Sequence, residues 1–372
     1  MRRCTTTARP CWPLLTNPDR PPSTNACGIT NARIAHFGNS SIRVASVIRG
    51  RTATSTPYCS ERNDPVRKFI VIALLALSAL LAAACQAPPA QPAPADAPAE
   101  QVPFVIGAIP DQDPEMLQRQ FTLLSDYLSA ELGVPVEYKP VTDYTAAVSA
   151  FRSGDLDMVW FGGLTGVQAR LQVPGAEALV QRDIDETFHS VFIANAASGL
   201  QPFDDTSGLA ELKGHTFTFG SDSSTSGRLM PQYFLKEAGV TLDDFTGEAG
   251  FSGSHDKTIQ LVEAGTYDAG ALNEQVWDSR VASNEVDLSK VVVLWRTPSY
   301  HDYHWVLNPE ATAQYGADFP ARVTAAFTAL DPANADDAQI LDLFGAKKFI
   351  ETNNDNYAQI EAVGREIGKI VN

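Results

Sequence analysis

Five hydroxyls crowd one short stretch of this sequence, 220-GSDSSTSGRLMPQYFL-235: Ser221, Ser223, Ser224, Thr225 and Ser226. An apolar-periodic run follows them directly. Ser and Thr cap helix N-termini because their oxygens satisfy first-turn amides, but one cap needs only one hydroxyl. The surplus suits an anion. A helix N-terminus offers unpaired amides and the positive end of a dipole, Gly227 lets backbone approach closely, and further hydroxyls add donors for the oxygens of a tetrahedral ligand. The plainer alternative is a polar loop with a single cap. Pro231 fits a helix that starts near Arg228, or kinks its second turn. Arg228 either adds charge to such a site or solvates a helix face.

The elements around this stretch alternate. Phe104–Ile109 reads as a buried strand, 114–132 as a helix closed by Gly133, and Val134–Tyr138 as a second strand. The segment 143-DYTAAVSAFRSG-154 reads as a helix capped by Asp143 and stopped by Gly154. A strand at 157–161, a helix at 164–171 and a strand at 177–181 complete the set. After the extended 188-FHSVFIANAAS-198 a second set begins, with strands at 215–220, near Gly250, at 267–272 and at 291–295, and a helix at 258–264 before Gly265. Then 299-SYHDYHWVLN-308 is extended, and the last fifty residues read as helical. Such alternation predicts an α/β protein with mixed, mostly parallel sheets covered by helices on both faces. Two sets joined by two connectors predict a two-lobed clamshell, with lobe one at about 102–192 and 300–372 and lobe two at about 193–299. The hydroxyl run then follows the first strand of lobe two, at a strand's carboxyl end, where ligands of such sheets sit.

The chain has 372 residues and a formal net charge of -16, spread unevenly. Residues 1–65 hold nine Arg against Asp19, Glu61 and Asp64, and four of the five cysteines: Cys4, Cys11, Cys27 and Cys59. They show no periodicity and precede 66-VRKFIVIALLALSALLAAAC-85, whose Arg67 and Lys68, apolar stretch and small residues before Cys85 have the layout of a lipoprotein signal peptide. A signal must be N-terminal to work, so translation is expected to start at Val66, leaving 1–65 outside the working protein and its cysteines outside any disulfide or zinc framework. Cys85 is the expected lipidation site, and 86-QAPPAQPAPADAPAEQ-101 a Pro/Ala tether. An uncleaved membrane anchor is the alternative. Either places the domain at 102–372 outside the cytoplasm, held at the cell membrane. The acidity of that domain argues against nucleic acid, which needs a basic track. It does not argue against a small anion bound by neutral dipoles, because distant surface charge is screened within about 8 Å at physiological salt.

Together, 109-IPDQDPE-115, 142-TDYTAAVSAFRSGDLDMVWFGG-163, 223-SSTSG-227, 253-GSHDKTIQLVEAGTYDAG-270 and 296-RTPSYHDY-303 resemble the substrate-binding proteins of phosphonate/phosphite-type ABC importers. Within that family the chain is most similar to the branch assigned to selenate. The resemblance covers nearly all of 103–372 in order. It implies a periplasmic-binding-protein fold of the type II-like clamshell kind, no catalysis, no cofactor and no metal. It also implies a monomer that gives a small oxyanion to a permease and its ATPase. Its ligand residues fall on Tyr144, on Ser224, Thr225 and Ser226, and on His255. Taken alone, Tyr144 could equally pack on its own lobe and His255 could be structural. The family's acids that grip an amine or take a ligand proton fall on Glu274 and Asp302, with Asn273 the alternative to Glu274. A cleft-facing Asp302 favours a protonated oxyanion such as phosphite, phosphate or a phosphonate; an Asp302 paired with a cation leaves selenate open. Tyr300, Tyr303 and Trp305 could narrow the pocket. Two rival readings remain: a metal-binding protein of the same fold, using His189, His255, His301 and His304, and a hydrolase. The first is weakened because His301 and His304 would point to opposite faces of an extended segment, the second because no G-x-S-x-G elbow is present.

Overall fold

The structure is a computed structural model that describes residues 101–371. The 1–65 extension, the 66–85 signal with Cys85, and all but the last residue of the tether lie outside the described residues.

Strand β1 (Phe104–Ala108) leads into α1 (Pro114–Leu132), whose start and stop are locally encoded. Asp113 accepts from the amides of Glu115 and Met116 at 3.0 and 3.1 Å, Pro114 occupies the first turn, and Gly133 ends the helix at φ 64°. Leu117, Phe121, Leu124, Leu128 and Leu132 recur at helical spacing and all are buried. Next come β2 (Val136–Tyr138), α2 (Tyr144–Arg152, capped by Asp143), β3 (Met158–Phe161), α3 (Gly163–Gln172) and β4 (Glu177–Arg182). Every residue of β3 is buried, as expected of a strand covered on both faces.

The chain then crosses to a second sheet. It builds β5 (Ser190–Asn195), β6 (Phe217–Phe219), α4 (Met230–Glu237), β7 (Gly250–Phe251), α5 (His255–Glu263), β8 (Ala269–Asn273), α6 (Glu274–Ala282) and β9 (Val291–Arg296). It returns through β10 (His304–Leu307) and adds α7 (Pro309–Tyr315), α8 (Phe319–Thr328), α9 (Ala335–Phe344), β11 (Phe349–Glu351) and α10 (Ala358–Glu366). The first sheet runs β11-β4-β10-β3-β1-β2 and the second β7-β6-β8-β5-β9.

Both sheets are mixed rather than mostly parallel. β1 runs parallel to β2 and β3, and β6 to β7 and β8. The crossing strands do the opposite: β10 is antiparallel to β3 and β4, and β5 to β8 and β9; the edge strand β11 is also antiparallel to β4. Each connector enters the new sheet from the side facing the other lobe, so its strand runs against those laid down by strand–helix–strand turns. Because β5 begins at Ser190, the first crossing precedes that residue instead of falling at 192–193. The C-terminal part is helical apart from the short edge strand β11.

The two connectors are zipped together. The Phe188 and Tyr300 amides each donate to the other's carbonyl at 2.9 and 3.0 Å, Thr297 N donates to Ser190 O at 3.0 Å, and Asp302 N donates to Asp185 O at 3.2 Å. Beneath them, Arg182 and Asp185 form a buried ion pair at 2.7 Å, with the guanidinium over the rings of Tyr303, Trp160 and Phe188. The first sheet's core is aromatic: Trp305 on β10 pairs with Trp160 on β3, their rings 5.5 Å apart.

Gly166 on α3 carries a tight demand. A Cβ there would lie 2.4 Å from Nε2 and Cε1 of His304, whose ring is stacked 3.7 Å from Tyr357 and whose Nδ1 bonds Asp302 O at 3.0 Å. Gly166→Ala is expected to destabilise the domain by about 1–3 kcal/mol through overpacking. Thermal unfolding checks it; an unchanged melting temperature would show that His304 can move.

Candidate functional site

The hydroxyl run lies at the carboxyl end of β6, and its members have divided labour. Ser224 is the cap, its Oγ accepting from Gly227 N at 3.0 Å. Residues Thr225–Leu229 then form a π-helical turn before α4, which holds Pro231 in its first turn. Thr225 Oγ1 accepts from Leu164 N at 3.0 Å, so it reaches across the cleft to the first turn of α3 in the other lobe. Ser226 Oγ is buried and makes no hydrogen bond of good geometry among the described residues, although the Tyr300 hydroxyl is beside it. One hydroxyl caps, one crosses, and one is left to bind. Gly227 is required by proximity: a Cβ there would come within 3.1 Å of Gly220 Cα and Ser224 Oγ and 3.2 Å of His255 Cε1.

Tyr144 and Asp302 join this cluster from lobe one and the connector. Tyr144 opens α2, is 2% exposed, and its hydroxyl makes no hydrogen bond of good geometry although Ser224 is beside it. Burial pushes the phenol well above its usual range. Asp302 is fully buried. Its Oδ1 accepts from Gly163 N at 2.8 Å, capping α3 in place of Gly162, which has no side chain to do so. Its Oδ2 makes no hydrogen bond of good geometry among the described residues, although the Thr225 hydroxyl is beside the carboxyl. Burial raises this carboxyl to about 7, against the opposing pull of the Gly163 amide. No cation pairs with it directly; the nearby Arg182 is committed to Asp185.

His255 and Asn273 are gathered through a residue that the sequence marked only as pocket-narrowing. Tyr303 Oη donates to Asp111 Oδ2 at 2.8 Å and accepts from Asn273 Nδ2 at 3.1 Å, with His255 Nε2 at 3.3 Å. His255 Nδ1 accepts from Asn273 N at 3.3 Å, which assigns the proton to Nε2. Burial lowers this imidazole to about 4, so it is a neutral donor. Asp111 is raised to about 6, chiefly by burial and partly offset by the Tyr303 hydrogen bond. Asp111 was not singled out from sequence; its one signal was a place just past the end of β1, inside a quoted motif.

Glu274 stays outside. Its carboxylate pairs with Arg296, which also holds Asp278 at 2.8 Å. Of the remaining histidines, His189 Nδ1 lies 2.5 Å from Thr297 O, His301 packs edge-on to Tyr357, and His304 is buried, with burial driving its pKa well below the usual value. Among the described residues, no three His, Cys, Asp or Glu side chains are placed to hold a metal ion.

The lobes are closed on one another. Besides the Thr225 contact, His255 N donates to Asp111 O at 2.9 Å and Asp113 N to Asp256 Oδ2 at 2.8 Å. The open cavities lie elsewhere: one of about 420 Å³ on the rim beside Met116 and Arg280, another of about 670 Å³ behind the connectors beside His189 and Glu274.

A family model described as ABC transporter, phosphonate, periplasmic substrate-binding protein matches residues 106–357. The chain is 49% identical over 266 residues to the probable ABC transporter phosphite binding protein PhnD1 of Prochlorococcus marinus (strain MIT 9301), covering 71% of this chain and 90% of that one. It is 25% identical over 232 residues to the phosphate-import protein PhnD of Mycolicibacterium smegmatis, covering 59% and 70%. Among solved structures, PhnD1 from Prochlorococcus marinus in complex with methylphosphonate matches with a TM-score of 0.70 and 48% identity, over 72% of this chain and 98% of that one.

Proposed function

Because the chain belongs to the family of periplasmic phosphonate-binding components of ABC transporters, we propose that it captures a small tetrahedral oxyanion that shares one proton with Asp302, phosphite or a short alkylphosphonate in particular. The observation that carries this reading is Asp302 itself: a fully buried carboxyl with Oδ1 committed to an amide and Oδ2 without a well-formed hydrogen bond, in the same cluster as Tyr144, Ser226 and neutral His255. Below about pH 7 the carboxyl carries the proton and Oδ2 donates to a ligand oxygen. Above it, Oδ2 accepts from a ligand P–OH. When neither partner has a proton, two negative groups face each other in a site without water, and binding fails. Selenate brings no proton, so it binds only while Asp302 is protonated.

The rest of the binding set is neutral: hydroxyls of Tyr144, Thr225 and Ser226, and the Nε2–H of His255, which the ligand would take over from Tyr303 Oη. Asn273 and Tyr303 orient that imidazole. Glu274 is withheld by Arg296 and so is not free to hold the ammonium of an aminophosphonate. Cys85 as a lipid anchor, residues 86–101 as a tether, a monomeric state and delivery of the closed form to a permease with its ATPase complete the proposal.

Calorimetric titration with phosphite, methylphosphonate, phosphate, 2-aminoethylphosphonate, selenate and sulfate between pH 6 and 9 tests it. Phosphite or methylphosphonate is expected to bind at least about tenfold more tightly than 2-aminoethylphosphonate or, at pH 8, selenate. Selenate binding that is tight and flat with pH would overturn the role given to Asp302.

A further inference from the structure

Two ion pairs join the C-terminal segment of lobe one to lobe two at the mouth of the cleft. Lys369 Nζ lies 2.6 and 2.7 Å from the two carboxylate oxygens of Asp222, and Lys236 Nζ lies 2.7 Å from Glu366 Oε1. They differ in setting. Lys236 and Glu366 are both about half exposed, the kind of pair that contributes little. The Lys369 side chain is only 20% exposed, against 56% for Asp222, and its ammonium donates to both carboxylate oxygens of that partner.

Both ends of the Lys369 pair are held. The chain turns at Gly368, with φ 78°, and returns onto α10: Lys369 N donates to Gly364 O at 2.7 Å, while Gln168 Nε2 of α3 donates to Lys369 O at 2.9 Å. Ile370 is buried beneath. Lys369 is thus tied both to α10 and to α3, the helix whose first turn meets Thr225. On the other side, Asp222 stands two residues before the cap Ser224, and Arg228 of the π-helical turn approaches it at 3.4 Å. That guanidinium lies 4.2 Å from the Phe219 ring. Asp222 therefore belongs to the loop that carries the binding hydroxyls.

We propose that Lys369 is a positioning residue that governs ligand residence: by pairing with Asp222 it clasps the hydroxyl-bearing loop of lobe two to α3 and α10 of lobe one, without touching the ligand. The inference rests on the oxyanion-binding reading above. Release requires the lobes to part and this pair to break, whereas encounter takes place with the lobes apart, before the pair forms. The clasp accordingly acts on dissociation.

Two measurements on the full chain test it. Stopped-flow dissociation of phosphite or methylphosphonate at 20 mM salt is expected to be about fivefold faster in Lys369→Gln, with association changed less than about twofold and Lys369→Arg close to the parent. At 1 M salt, where screening falls to about 3 Å, the difference is expected to shrink. A purely structural role would leave the salt dependence unmoved. Without ligand, hydrogen exchange at Leu164, whose amide crosses the cleft to Thr225, is expected to quicken in Lys369→Gln at low salt and be restored in Lys369→Arg. Unchanged dissociation together with unchanged Leu164 exchange at low salt would overturn the clasp. If the parent protein binds no oxyanion yet Leu164 exchange still responds to Lys369, the functional reading fails and the clasp stands.

Discussion

Asp302→Asn is expected to change both the pH dependence of stability and the choice of ligand. In the ligand-free protein, burial raises the Asp302 carboxyl from 3.8 to about 7. A raised carboxyl stabilises the fold fully below its unfolded pKa. That contribution is lost as pH climbs towards the folded value, because the unfolded chain has released its proton while the native one has not. Across pH 4–7 the loss for this one group is on the order of 4 kcal/mol. An amide does not titrate. The melting temperature of Asp302→Asn, relative to the parent, is therefore expected to rise between pH 4.5 and 7.5, with Asp111 titrating alike in both proteins and cancelling. In binding, the parent's affinity for selenate is expected to fall by up to about tenfold per pH unit above 7, while the variant, able to donate from Nδ2 at any pH, stays flat. Parallel curves for parent and variant in both experiments would mean that Asp302 is ionised or solvent-linked in the working protein.

The second large effect concerns the hydroxyls, which are not equivalent. Ser226→Ala removes a buried hydroxyl that makes no well-formed protein hydrogen bond and is expected to weaken oxyanion binding by about 10- to 100-fold, the range for a hydrogen bond to a charged group. Thr225→Val keeps the shape but removes the acceptor for Leu164 N, so closing the cleft would bury an unpaired amide. The double variant Thr225→Ala/Ser226→Ala is expected to lose at least about 100-fold, while Thr225→Ser retains most of the affinity. Ligand-free stability is expected to change little, since these groups are satisfied by water when the lobes part. Calorimetry with phosphite alongside thermal unfolding checks both halves. Unchanged affinity in the double variant would remove the hydroxyl run from the site.

What was legible in the sequence was what is encoded locally. Asp113 and Gly133 bracket α1 because capping and left-handed termination depend on a few adjacent residues, and Asp143 caps α2 for the same reason. The hydroxyl run was legible because five hydroxyls exceed what one cap can use. Strand direction was not, since a strand buried on both faces carries the same apolar run whether its neighbours are parallel or antiparallel. The cluster's long-range partners were hidden for a related reason. Asp111 acquires its role from Tyr303, 192 positions away, and neither residue type announces the meeting. The pairing of Glu274 with Arg296, 22 positions on, was equally hidden, because nothing in the local sequence announces it.

The mixed sheets also bear on how the molecule is assembled. All five strands of the second sheet come from the unbroken stretch 190–296, so lobe two can be completed as soon as that stretch exists. Lobe one cannot. Its sheet places β10, residues 304–307, between β3 and β4, which are made far earlier, and those two do not pair with each other. Until β10 arrives, the N-terminal strands lack their middle neighbour and Trp160 lacks Trp305. The lobe that is begun first is therefore finished last, and the strand that joins its halves, ahead of the edge strand β11, is the direct continuation of the segment carrying Asp302 and Tyr303. Joining of the first sheet and placement of the ligand-reading carboxyl thus depend on one stretch of chain, 302–307, and a chain that stops short of it carries neither.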